Sequence, residues 1–252
     1  MQGASPVELV TDGLRDITIP SLTRPPIGPN EAPTKELVDW GIKFYVYSAV
    51  LHLRTILTAL VNIAKTENIP ATFVVARNIF EWTASAAYIR REVLYHLQRV
   101  DIPAAWDVMT VAATGNLWAR KHGHKYGDPS STVLLNSPDP VRVGIAVTAY
   151  EEYQSKELGT KEAHNNYGLL SELSHPNSAC LQQYHFWTGD GREVMFAPPT
   201  EGSPLPIVNW CLIDQLTFLE ELLEASGETT VRAALIAVLR QIVQLAQGKR
   251  RG

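Results

Sequence analysis

The stretch PATFVVARNIFEWTASAAYIRREVLYHLQR, Pro70 to Arg99, decides the fold. Its first half is apolar on nearly every side: Phe73, Val74, Val75, Ala76, Ile79, Phe80, Trp82, Ala84, Ala86 and Ala87. A helix that is hydrophobic all round belongs inside a bundle, not on its surface. Pro70 suits the first turn, where a missing N–H costs nothing. The spacing therefore predicts a central helix over about 71–99.

Upstream, helical spacing runs from Thr34 to about Glu67 through Leu37, Trp40, Phe44, Tyr47, Leu51, Leu57 and Val61. Asn68-Ile69-Pro70 stops it. Downstream, Asp101 caps a third helix with Pro103 in its first turn, reaching roughly Lys121. Turn residues fill Gly123 to Pro140. A fourth helix spans about Val141 to Glu157, and Gly159 breaks it. A fifth begins at Thr160 and ends near Ser174-His175-Pro176. Gln183–Trp187 and Glu193–Ala197 flank Thr188-Gly189-Asp190-Gly191, a hairpin signal with glycine where φ must be positive. Two more helices fit 207–225 and 228–247. The predicted fold is all-α, a bundle of six or seven helices with one small β-hairpin near residues 183–197. Residues 1–32 read as an extended, Pro-rich N-terminal arm that Ile17, Ile19, Leu22 and Ile27 could lay across the body. Residues 33–248 read as a single helical domain, and 249–252 as a basic tail.

Composition narrows the function classes. The chain has 252 residues, 45% hydrophobic and 19% charged, which excludes wholesale disorder. The formal net charge of −4 gives no global case for nucleic acid. Cys180 and Cys211 lack metal-ligand or framework spacing and read as buried thiols. Met1 to Asp16 has no basic segment followed by an apolar core, so a cytoplasmic chain is expected. Phe44 to Ala64 is apolar, but His52, Arg54 and Asn62 interrupt it. A central Arg costs roughly 2.5–3.5 kcal/mol on insertion, so a buried helix and no membrane are expected. P-loop, dinucleotide and nucleophile-elbow motifs are missing from the sequence. His122-Gly-His124 with Asp128 nearby lacks a third spaced ligand, so neither metal nor cofactor is expected.

Two groups of polar residues do not fit a solvated surface. Arg77 and Glu81 lie four apart in the apolar helix and share one face, with Tyr88 on the same stripe two turns on. Their surroundings predict burial, and charged side chains are almost never fully buried unless paired. On the fifth helix His164, Tyr167, Ser171, Ser174 and His175 mark another stripe. The two stripes are expected to meet in one internal polar cluster of Arg77, Glu81, Tyr88, Tyr167, Ser171 and His175. One reading is an ion pair that fixes helix register. The other is a ligand site, with Arg77 for an anion and Glu81 or His175 for proton transfer.

Phe73-x-x-x-Arg77-x-x-x-Glu81, followed later by Tyr167-x-x-Leu170-Ser171-x-x-x-His175-Pro176, resembles an uncharacterised helical family widespread in bacteria. The resemblance covers about Leu37 to Leu223 and implies the fold and the site, not a chemistry. A looser similarity is to the HEPN helical bundles, several of them metal-independent ribonucleases with an Arg-x(4–6)-His motif. Arg91 and His96 fit that spacing and are the candidate catalytic residues it implies. Three allowed spacings give roughly one chance match here, and Glu92 after the arginine would repel phosphate. The sequence thus supports a helical module of bacterial stress or defence type, binding a protein partner or a small anionic ligand through the polar cluster. A HEPN-like ribonuclease, acting as a homodimer about a two-fold axis, and a purely structural protein are the alternatives.

Overall fold

The computed structural model describes residues 6–26, 31–66, 68–114, 142–174, 185–187, 194–196 and 203–248. In chain order the elements are α1 (Pro6–Arg15), α2 (Lys35–Ala64), α3 (Ile69–Gln98), α4 (Ile102–Thr114) and α5 (Val143–Tyr153). A π-helical turn follows (Gln154–Leu158), then α6 (Ala163–Ser174), β1 (His185–Trp187), β2 (Val194–Phe196), α7 (Leu205–Ala225) and α8 (Thr230–Gly248). The architecture is an all-α bundle.

The helix starts follow from local chemistry. Thr34 accepts from the Leu37 N–H at 3.3 Å and caps α2. The Asn68 side chain does the same for α3 through Ala71, with proline in the first turn. Asp101 accepts from the Ala104 N–H at 3.2 Å and caps α4. α3 is the hub, as its all-round apolar sequence requires. It packs against α7, α5, α4, α6 and α2. Ala76, Ile79, Phe80, Ala84, Ala86 and Val93 of α3 are buried at these contacts.

α2 is long and apolar enough to cross a membrane by length and composition. In this fold its apolar side is taken up by α1, α3, α4 and α7, with Val46, Val50, Leu53, Leu57 and Leu60 buried.

The N-terminal segment needs a correction. Residues 1–32 are not wholly an extended arm, because Pro6–Arg15 is helix. This is an eighth helix among the described residues, beyond the six or seven expected. Val7, Val10, Thr11 and Leu14 fall on one helical stripe and are buried, and α1 seats against α2 and α8. Arg54 of α2 closes the helix end by donating to the carbonyls of Leu14, at 2.5 Å, and Ile17. Beyond it Ile17 is buried, and Ile19 and Leu22 pack on the core.

β1 and β2 pair antiparallel, with His185 opposite Phe196, Phe186 opposite Met195 and Trp187 opposite Val194. The turn expected at Thr188–Gly191 lies outside the described residues, as do the 249–252 tail and the His122–Asp128 loop.

Candidate functional site

The two sequence motifs do meet. Arg77 donates from Nε to Glu81 Oε1 at 2.9 Å, from Nη1 to Ser174 Oγ at 3.3 Å and from Nη2 to the Tyr167 hydroxyl at 3.4 Å. Its guanidinium also lies over the Tyr167 ring, 5.7 Å from the centroid, within cation–π range. Partial burial opposes the Arg77 charge, but Glu81 and Tyr167 outweigh it and hold the pKa above its usual value. The α3–α6 contact is thus stitched by one arginine.

The pair is less buried than its sequence context predicts. The Arg77 and Glu81 side chains keep 23% and 28% of their exposure. They sit where the α3–α6 seam reaches the surface, so the apolar neighbours cover other sides of α3.

Tyr88, also expected in the cluster, lies elsewhere. Tyr88 is 11 residues beyond Arg77, about 16 Å along the axis, and lies under Arg91, 5.5 Å from ring centroid to guanidinium. The same stripe therefore does not mean the same site. His164 turns to Glu151 of α5 at 3.0 Å. Ser171 is half-buried and contributes its carbonyl, which accepts from Ser174 Oγ at 3.2 Å. His175 lies outside the described residues.

Arg91 and His96 each have partners of their own. Arg91 is held by Glu92 and Glu152, each at 2.7 Å. Partial burial works against its charge, yet the two carboxylates keep its pKa raised. His96 faces Asp101, with Nδ1 3.5 Å from the carboxylate, and meets Tyr95 edge-on. The two carboxylates offset the Arg91 charge, which disfavours a phosphate beside it.

A cavity of about 320 Å³ lies on the other side of Phe80, where α3, α5, α6 and α7 converge. Phe80 faces Tyr167 at 5.9 Å and Tyr150 at 5.6 Å, so one ring separates the Arg77 cluster from the cavity. Leu158, Ile207 and Trp210 supply further apolar wall, and Gln154, Asn166 and Asp214 the polar part. Trp210 is 61% exposed, which sets it at the mouth.

The chain builds this wall with an irregular turn. After Tyr153 the helix widens into the π-turn Gln154–Leu158, a feature often found at functional sites. Gly159 then takes φ +67, a left-handed conformation that suits glycine. Gln154 is buried and its side-chain oxygen accepts from the Glu162 N–H at 3.2 Å, fixing the approach to α6.

At the deep end, Asp214 is 3% exposed. The Tyr150 hydroxyl donates to its Oδ2 at 2.5 Å. Among the described residues no hydrogen bond reaches Oδ1 and no cation pairs with the carboxylate. Burial raises the Asp214 pKa to about 6, with the Tyr150 hydrogen bond pulling the other way. Burial also pushes the Cys211 thiol, one turn earlier, up to about 12. Tyr150 is driven well above its usual value by burial and by its acidic neighbours. A charged group held in a cavity without compensation is the arrangement functional sites use.

The sequence reading missed Asp214, Tyr150 and Gln154. Asp214 sits in Leu212-Ile-Asp-Gln-Leu216, where it looks like one solvated position of an amphipathic helix. The π-turn was the one available signal, in the polar run Gln154–Glu157 set between a helical pattern and Gly159. Among the described residues no group of three His, Cys, Asp or Glu side chains could hold a metal ion. Compared with known proteins, the chain matches no family model, no curated protein and no solved structure.

Proposed function

We propose that this protein is a helical binding module whose small-molecule ligand occupies the cavity between α3, α5, α6 and α7. The observation that carries the reading is Asp214, a carboxylate buried at the end of an aromatic-walled cavity with one oxygen unclaimed. Proteins do not bury a charge without compensation unless something else supplies it. The volume is at the small end of ligand pockets, which run from about 300 Å³ upward.

The polar cluster around Arg77 then has a supporting role. Glu81 balances the Arg77 charge, so the pair has little net attraction for an anion. By holding Tyr167 and Ser174, Arg77 fixes α6 against α3 and sets Asn166 at the cavity wall. This revises the expected ligand surface from the arginine to the cavity beside it. The binding site is read as working in a reducing cytoplasm, where the raised Cys211 thiol stays unreactive.

The test is methyl-labelled NMR of the whole chain against a library of small neutral and charged fragments. Binders should shift the methyls of Leu158 and Ile207 and leave Leu57 in α2 unmoved. Filling the space with Asn166→Trp should abolish those shifts. If no fragment moves the Leu158 and Ile207 methyls, the protein is a structural or interaction module and the reading fails.

A further inference from the structure

Resting on that reading, we propose that the cavity takes an organic cation, a protonated amine on a compact aromatic or branched apolar group, with its ammonium on Asp214 Oδ1. Four features select this class.

The first is charge. No arginine, lysine or histidine of the described residues pairs with Asp214. Its one hydrogen-bond partner among the described residues is the Tyr150 hydroxyl, a neutral group. Tyr150 can therefore donate one hydrogen bond but cannot neutralise the site. A buried carboxylate is stabilised most by a cation at hydrogen-bonding distance.

The second is geometry. Tyr150 holds Oδ2 and leaves Oδ1 for another donor. An ammonium has N–H donors and no acceptor, which suits a site whose remaining side-chain groups include the amide oxygen of Asn166.

The third is the wall. Phe80, Tyr150 and Trp210 line the same cavity, and aromatic faces attract a desolvated cation. Ile207 and Leu158 offer apolar surface to the rest of the molecule.

The fourth is what the cavity excludes. Glu162 lines it together with Asp214, so a carboxylate or phosphate would meet two acidic groups. Arg77 does not line it and is already engaged by Glu81.

Three probes of one shape separate the possibilities: benzylamine, benzyl alcohol and benzoate, titrated at pH 7.5 into the full chain by calorimetry and methyl NMR. Benzylamine should bind about tenfold or more tighter than benzyl alcohol, the factor expected of a hydrogen bond to a charged partner. Benzoate should not bind. Asp214→Asn keeps the shape and the Tyr150 contact, and should bring the amine-to-alcohol ratio down to about one. Asp214→Glu, with the charge kept, should retain part of the preference. Equal or tighter binding of the alcohol, or a preference that survives in Asp214→Asn, would overturn the cation assignment and leave cavity binding standing. Unmoved Leu158 and Ile207 methyls with all three probes, together with a failed fragment screen, would overturn both.

Discussion

Asp214 is the residue at which this fold gives up stability. An isolated aspartate titrates near 3.8, and in the folded chain burial lifts the value to about 6. The sign follows from proton linkage: between these pH values the folded state binds more protons than the unfolded one, so stability falls as pH rises. Below 3.8 both states are protonated and Asp214 costs nothing. Above 6 the full cost applies, on the order of 3 kcal/mol for a shift of this size. Asp214→Asn should therefore raise the unfolding free energy at pH 8 by about 1–3 kcal/mol and change it little at pH 3.5, measured by urea titration at both. A variant less stable than the parent at pH 8 would mean that the carboxylate holds the fold together. Binding sites are where proteins accept such costs.

The contrast with Arg77 shows what a sequence can and cannot disclose about a residue. Arg77, Glu81 and Tyr167 were legible because helical spacing puts charges on a face whose neighbours are apolar. Asp214 was not, since its burial is imposed by Tyr150, which approaches from a helix 64 residues away in sequence.

At the scale of elements, the ends of helices were more legible than their surroundings. Asp101 is a cap in both sequence and structure, and Thr34 and Asn68, read as boundaries, prove to be caps too, because capping depends on a side chain and a backbone amide only a few residues apart. α1 is less legible: Val7, Val10, Thr11 and Leu14 keep helical spacing, but the prolines from Pro20 onward point the segment to an extended arm. The π-turn has no sequence rule comparable to a cap.

The end of α3 carries a testable irregularity. The Asp101 N–H reaches the His96 carbonyl at 3.0 Å and the Val100 N–H reaches that of Leu97 at 3.1 Å. This is the Schellman arrangement, which places its terminal residue in the left-handed region and favours glycine there. The chain puts Val100 at that position, with φ 58 and 79% exposure. A left-handed valine costs about 1–2 kcal/mol, and glycine loses up to about 1 kcal/mol more on folding. Val100→Gly should thus stabilise the protein by about 0.5–1 kcal/mol, with Val100→Asn between the two. Differential scanning calorimetry reads this directly. A lower melting temperature for the glycine variant would show that the valine methyls make a contact worth more than the strain.

At the scale of the whole molecule, the cavity and the N-terminal helix belong to one packed interior. The buried core runs without interruption from Val7 and Val10 of α1, through α2 and α3, to Phe80 and Cys211 at the cavity and Val238 and Ile242 of α8. α1 also touches α7, one of the cavity walls. Packing this continuous transmits a local gain in stability to every element that unfolds with it. A ligand at 100 times its dissociation constant adds about 2.7 kcal/mol to the folded state. For a chain of this size that should raise the unfolding midpoint by roughly 5–10 °C. We expect benzylamine to shift the thermal transition equally for two NMR probes, the Ile207 methyls at the cavity and the Val10 methyls of α1, which have no contact with the ligand site. In Asp214→Asn the amine should shift neither by more than benzyl alcohol does. A shift confined to Ile207, with Val10 melting as before, would divide the chain into two cooperative units. It would also mean that the helix held by Arg54 is an appendage to the fold and not part of it.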